Sequence, residues 1–490
     1  MTNHRPDTTY SGSELCRRSA SEIVDLLRRG DVGVHELIDA SADRTNVADG
    51  PINAMVTQCV DRAHRWADDR LPSIRVSGEG DPGWLGGLPV GIKDLSAVEG
   101  VRTTSGTVAL ADFVPTVNDP IVDIIEGSGG VVIGKTNTPE MGAGGNTFNA
   151  VFGSTRNPWD TRKNAGGSSG GSAAALATGQ VWLAQGSDLG GSLRTPAAYC
   201  GVVGMRPTPG RVFGGPMNAG FSGESLTGPM ARSVTDCALF LDAMAGYDNR
   251  APLGLPAPHE SFTNAVNRAD PKVRIAWAPT LGGFAPVESE IEAIMRSALE
   301  AVERGGAAVE DACPELPELH DTYVTLRAMN WASLTGRLPE TIQRHFKKTL
   351  ADNIALGHSL TGTRILDAGV KRTVIYHTMR EFLDDFDVLA CAVVGLEPTD
   401  IEVEYPTEVA GQPMAGYMDW LRFSYLATTA GLPAISVPCG FTASGMPVGI
   451  QLIGPPRGDA IVLATARVLE QAVDLGTEPI DPIVRRGADH

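Results

Sequence analysis

The sequence predicts an α/β protein built on a large central mixed β-sheet covered by helices on both faces. Three observations predict it. Short apolar runs of strand length alternate along the chain with amphipathic stretches of helical period. Near the C-terminus, "AISVPCGF" and "PVGIQLIG" flank "TASGM" as a hairpin, which adds antiparallel pairing to a pattern otherwise suited to parallel strands. No repeat of fixed period occurs, which excludes a solenoid.

The elements follow in order. "SASEIVDLLRR" (19–29) opens with a capping box, Ser19 followed by Glu22, and sets Ile23, Leu26 and Leu27 on one helical face before Gly30. "VHELIDASADR" continues as a second helix. "LPVGIKD" (88–94) reads as a short buried strand with a charged end, and "DPIVDIIEGSG" as a helix leading into the strand "GGVVIGKT" (129–136). "SAAALATG" reads as a helix closing at Gly179, "VWLAQGSDLGGS" as strand into turn, and "VVGMRPT" as a further strand. The proline-rich "APLGLPAPHESF" (251–262) reads as a surface excursion. Strand "VRIAWA" (273–278), the amphipathic helix "ESEIEAIMRSALEAVERGG" and strand "DVLACAVV" (387–394) precede the hairpin.

Composition narrows the function classes. At 490 residues, with 58 acidic against 40 basic side chains, the chain carries a formal charge of -18. That balance repels phosphate backbones and anionic lipid, and no basic cluster offsets it, so neither nucleic acid nor membrane is an expected partner. The seven cysteines are far apart and never in a CxxC pair, which argues against a disulfide framework or a zinc site and for a reducing compartment. No window approaches the roughly 18 apolar residues of a membrane span, and the N-terminus lacks a signal-like apolar stretch, so a cytoplasmic location is expected.

One motif misleads. "GGVVIGKT" matches the phosphate-loop pattern GxxxxGK[ST] from Gly129 to Thr136, but its centre is the β-forming run Val131, Val132 and Ile133. Pro139 stands where the following helix would run. Strand is the better reading, and nucleotide binding is not expected.

The chemistry concentrates in "NAGGSSGGSAAA" (164–175) and "GSDLGGSLRTP", where Ser192 follows Gly190 and Gly191. Glycines before a serine let the backbone turn tightly, expose the hydroxyl and aim amide N–H groups at one point. A serine hydroxyl is a weak nucleophile unless a base takes its proton. No histidine lies between His64 and His259, which turns attention to Lys93 at the end of a strand.

These segments, with "GIKD", "GKTNTPEMG", "FGSTRNPWD" and "GGSSGGSAAALATG", resemble the amidase signature family of serine hydrolases, in order from about residue 88 to 240 and again in "GLPAISVPCGFTASGMPVGIQLIG". The resemblance implies the amidase signature fold and a Ser-cisSer-Lys triad. Ser192 matches the nucleophile, Ser168 the bridging serine reached through a cis peptide bond from Gly167, and Lys93 the base. Burial can lower a lysine pKa by about 3 units and so supply the neutral amine a base requires, so Lys93 is expected to be buried. By the same resemblance Leu189, Gly190, Gly191 and Ser192 supply the oxyanion-hole amides, Asp188 and Arg194 support that loop, and Met141, Gly142 and Gly145 line the substrate pocket. No metal or organic cofactor is implied. Ser187, Arg206 and Asn164-Ala165 depart from the residues common in the family, without touching the triad.

Residues 1–70 are expected to form an N-terminal helical segment packed on the core. Residues 71–490 are expected to form one compact amidase signature domain, whose variable helical region, about 310–425, shapes the pocket. Pocket loops are also expected between about 210 and 225. Trp331 and Trp420 read as core, with a substrate-facing role as the alternative. The expected activity is hydrolysis of the C–N bond of a small-molecule amide. Anilides, esters and carbamates share the acyl-serine route, which admits aryl acylamidase, esterase or urethanase activity. The alternative is the glutamine-hydrolysing subunit of a tRNA-dependent amidotransferase, although the Tyr-Tyr and Lys-Ala patterned stretch usual there is absent from "TGTRILDAGVKRTVIYHTMREFLDDFD". The resemblance alone carries the expectation of a homodimer.

Overall fold

A computed structural model describes residues 5–78, 80–213 and 220–485. Eleven strands join in one sheet among the described residues. In chain order they are β1 (Met55–Gln58), β2 (Pro89–Lys93), β3 (Val131–Thr136), β4 (Leu183–Asp188), β5 (Val203–Arg206), β6 (Leu226–Ala231), β7 (Arg274–Trp277), β8 (Ala308–Asp311), β9 (Val388–Ala392), β10 (Ala434–Phe441) and β11 (Pro447–Ile453). Across the sheet the order is β1-β3-β2-β4-β6-β5-β10-β11-β9-β7-β8.

The pairing is mixed, as the sequence predicts. β3-β2-β4 and β9-β7-β8 are parallel, while β1 and the centre, from β4 through β6, β5, β10 and β11 to β9, pair antiparallel. Successive side chains of a strand point to opposite faces, and here both faces are covered. In β4, Leu183 joins the apolar cluster beneath the helices Val234–Met244, Ser289–Arg304 and Asp459–Val473, whereas its neighbour Ala184 joins the cluster around the helix Gly170–Ala177. In β3, Val132 and Ile133 divide the same way. Strands apolar on both faces leave no polar side to the pattern, which is why "GGVVIGKT" is a buried strand. Its lysine, Lys135, is fully buried against Asp94 at 3.2 Å and donates to the Ser96 carbonyl at 2.7 Å, so it is not available to a phosphate.

The first 70 residues supply an edge strand as well as helices. The capping box of Ser19 and Glu22 is present, and the Asp236 carboxylate accepts the next amides, of Ala20 at 3.0 Å and Ser21 at 2.9 Å. Arg44 pairs with Asp481 at 2.8 Å and so ties this segment to the C-terminal end of the chain.

The Gly/Ser block is not a linker. Residues Gly170–Ala177 form a helix buried on every side, and small residues let it lie against β2, β3 and β4. A Cβ on Gly171 would stand 2.2 Å from the Asn137 amide nitrogen and 2.8 Å from the Ala54 carbonyl oxygen, so backbone would have to move. Gly171→Ala is expected to destabilise the fold by about 1–3 kcal/mol, read as a lower midpoint in chemical denaturation; an unchanged midpoint would contradict this packing.

Candidate active site

Parallel β2 and β4 bring Lys93, Ser187 and Asp188 to one end of the sheet, where the Gly/Ser block crosses. The Lys93 backbone N–H donates to Gln185 Oε1 at 3.0 Å, which fixes the last residue of β2 against β4. Its side chain is fully buried. Lys93 Nζ lies 2.6 Å from Ser168 Oγ, 2.9 Å from Ser169 Oγ and 3.0 Å from Ser187 Oγ. Burial pushes the Lys93 amine down to about 7, against an opposing pull from Asp188. At neutral pH this amine is therefore divided between the form that donates and the form that accepts a proton.

The peptide bond between Gly167 and Ser168 is cis. Ser168 is buried, and the next residue joins it to the second loop: the Ser169 amide donates to the Ser192 carbonyl at 3.2 Å. Ser169 Oγ also accepts the Ser187 amide at 3.3 Å. Ser192 is half-buried, on the turn between β4 and the helix Arg194–Cys200. The structure thus gathers Lys93, Ser168 and the loop of Ser192 from three separated segments of chain.

Asp188 organises that loop from beneath. It accepts the Leu193 amide at 3.1 Å and two guanidinium bonds from Arg194, at 2.8 and 3.0 Å. Arg206 donates to the Asp188 carbonyl at 2.7 Å and reaches its carboxylate at 3.4 Å. Burial alone would raise the Asp188 carboxyl, but Arg194 and Arg206 outweigh it and hold it well below the usual carboxylate range. Arg194 also donates to the Gln451 side chain from β11. Asp188 and Arg194, expected to support this loop, form with Arg206 a cluster in which all three groups are buried rather than a surface ion pair.

The four expected oxyanion-hole amides do not behave alike. Gly191, at φ +91°, turns its N–H inward to Asp188 Oδ1 at 3.1 Å and serves the loop's shape. Among the described residues, the amides of Leu189, Gly190 and Ser192 donate to no protein acceptor. Tyr323, from the helix Leu319–Ser333, packs against the same turn: its hydroxyl is 3.4 Å from the Leu189 carbonyl, and a Cβ on Gly190 would stand 2.7 Å from it.

A cavity of about 510 Å³ opens beside this loop, with Ser187, Leu189 and Met141 in its lining. Gly142 lies next to Ser168, since a Cβ there would be 3.7 Å from Ser168 Oγ. Gly145 is placed elsewhere, under Trp420, whose ring would be 2.3 Å from an added Cβ. The tryptophans divide: Trp420 is core, stacked on Tyr199, whereas Trp331 lines the cavity. Of the expected pocket loops, Phe213, Ser225, Asn330, Leu334 and Thr335 reach the lining, and residues 214–219 lie outside the described residues.

Three departures from the family pattern have visible roles. Ser187 offers Lys93 its third hydroxyl, Arg206 spans Asp188 and the carbonyls of Gly223 and Glu224, and Asn164 Oδ1 accepts the Gly166 amide at 3.1 Å. Sequence reasoning gave no role to Ser169 or Tyr323. The first is one serine of several in its block, and the second lies far along the chain on a helix with no motif.

The sequence profile of the amidase family matches residues 36–463. The chain belongs to this family, and it is an amidase signature enzyme by fold and sequence. It is 36% identical over 466 residues to an acylamidase of Rhodococcus erythropolis, covering 92% of this chain and 94% of that protein. It is also 36% identical over 486 residues to one subunit of the glutamyl-tRNA(Gln) amidotransferase of Moorella thermoacetica, covering 94% of this chain and 98% of that protein. Among solved structures it superposes on a bacterial aryl acylamidase of the amidase signature family with a TM-score of 0.86 at 29% identity, covering 94% of this chain and 97% of that one.

Proposed function

We propose that this enzyme hydrolyses small-molecule amides through an acyl-serine intermediate on Ser192, with Ser168 and Lys93 as the proton relay. The observation that carries it is a buried lysine, poised near neutrality, 2.6 Å from the hydroxyl of Ser168 and joined through Ser169 to the Ser192 loop. Ser192 Oγ attacks the carbonyl carbon while its proton passes to Ser168 Oγ, whose own proton passes to Lys93 Nζ. The free amides of Leu189, Gly190 and Ser192 supply donors for the developing oxyanion. Collapse breaks the C–N bond, and the relay returns the proton to the leaving amine. Water then repeats the attack on the ester. The apolar share of the lining, Leu95, Ile121, Met141, Phe213 and Trp331, supports an apolar or aromatic group beside the scissile bond.

The test is turnover of matched substrates that release one chromogenic amine from acyl groups of rising apolar size, with the corresponding ester and carbamate alongside. Amide turnover without any added protein is expected; its absence across the series would overturn the reading. The pH dependence is a further expected result. Only neutral Lys93 accepts a proton, so kcat/KM is expected to be level above pH about 7 and to fall about tenfold per pH unit below it. A profile flat from pH 5 to 8 would contradict the base assignment.

The likeness to the amidotransferase chain supports a second reading, glutamine hydrolysis within a larger complex. Among the described lining residues, however, there is no basic side chain to pair the α-carboxylate of glutamine. Ammonia release from glutamine, and copurification with a second protein, separate the two. A reducing cytoplasmic setting fits either, since all seven cysteines are free thiols.

A further inference from the structure

The cavity wall holds one ionisable side chain among its described residues, Asp119, in a lining otherwise apolar or neutral. Asp119 precedes the helix Pro120–Gly127, where an aspartate ordinarily accepts the amides of the first turn. Here it does not: its side chain makes no cap hydrogen bond. Instead Oδ2 accepts the Ala97 amide at 2.8 Å, and the Asp119 amide donates back to the Ala97 carbonyl at 2.9 Å. These two bonds hold the carboxylate against the segment that follows Lys93. No described residue donates to Oδ1, and no lysine, arginine or histidine forms an ion pair with the group. Lys135, whose charge acts on it, is engaged with Asp94, the Ser96 carbonyl and Thr103, and the neighbouring Asp123 carboxylate opposes the ionisation of Asp119. Burial raises the carboxyl, offset in part by the Ala97 amide and by Lys135, so a cation reaching the cavity would favour the ionised form.

We infer that Asp119 forms an ammonium-recognition subsite in the substrate cavity, so that the enzyme prefers amides carrying a protonated amine away from the scissile bond. Asp119 is half-buried, and a carboxylate without an ion-pair partner beside an apolar lining attracts a cation more strongly than one fully in water does. The apolar remainder of the lining suits the methylene chain between that amine and the amide. A neutral substrate of the same shape leaves the carboxylate without a partner and loses that discrimination. The inference rests on the hydrolase reading only in taking this cavity as the substrate site.

The test uses equilibrium binding, so that it reads independently of turnover. In a Ser192→Ala background, calorimetry compares the anilide of ω-aminohexanoic acid with that of heptanoic acid, and the benzamide of hexanediamine with that of heptylamine. Each pair differs by one ammonium replacing one methyl. In at least one pair the cationic ligand is expected to bind about tenfold more tightly, as a charge-assisted hydrogen bond provides. Adding Asp119→Asn, which keeps an acceptor for Ala97, is expected to abolish that preference while the neutral ligand shifts by less than about threefold. Absence of a cationic preference in both pairs, or a preference that survives Asp119→Asn, would overturn the subsite. Failure of the wild-type enzyme to hydrolyse any amide is a separate result and bears on the hydrolase reading instead.

Discussion

Replacing Ser192 with alanine is expected to lower kcat for a chromogenic anilide by about 10,000-fold or more while leaving the fold and substrate affinity intact. The size follows from nucleophilic catalysis: without Oγ no acyl-enzyme forms, and the remaining groups can only bind substrate and polarise its carbonyl. The loop itself does not depend on that hydroxyl, because its shape rests on Asp188, which accepts from Gly191, Leu193 and Arg194. The denaturation midpoint of Ser192→Ala is therefore expected within about 0.5 kcal/mol of wild type. Loss of activity together with loss of stability would point to a structural role for Ser192 and against the mechanism.

Asp188→Asn is expected to have the opposite signature, a large loss of stability with a change in the pH profile. The substitution removes the one carboxylate shared by Arg194 and Arg206, both fully buried. Breaking a buried ion pair from one side costs about 3–5 kcal/mol, because the remaining charge keeps its desolvation penalty. Asp188 also holds the Lys93 amine up against burial, so its neutralisation lowers that amine further. The acid limb of kcat/KM is then expected to move to lower pH in whatever fraction remains folded. Unchanged stability would show that Asp188 does not organise the loop.

Much of this was legible in the sequence because its signals are local. The strand at "LPVGIKD", the capping box at Ser19 and the C-terminal hairpin each depend on a few neighbouring residues, and each stands where expected. The misleading phosphate-loop pattern was resolved by the same local reasoning, since three β-forming residues at its centre outweigh the glycines. What sequence could not supply was convergence. Nothing near Tyr323 says that its hydroxyl will meet Leu189, and nothing in "TVNDPIV" says that Asp119 will turn from its own helix towards Ala97. The inward turn of the Gly191 amide was hidden for the same reason: it depends on where the Asp188 carboxylate lies, not on the glycine.

The central claim is a covalent acyl group on Ser192, and the most direct measurement is mass spectrometry of the enzyme after reaction with a slowly deacylating aryl carbamate. The account predicts one carbamoyl group per chain, located by peptide mapping on Ser192, and none on Ser192→Ala. Labelling of Ser168 or another side chain, or stoichiometric labelling that persists in Ser192→Ala, would contradict it.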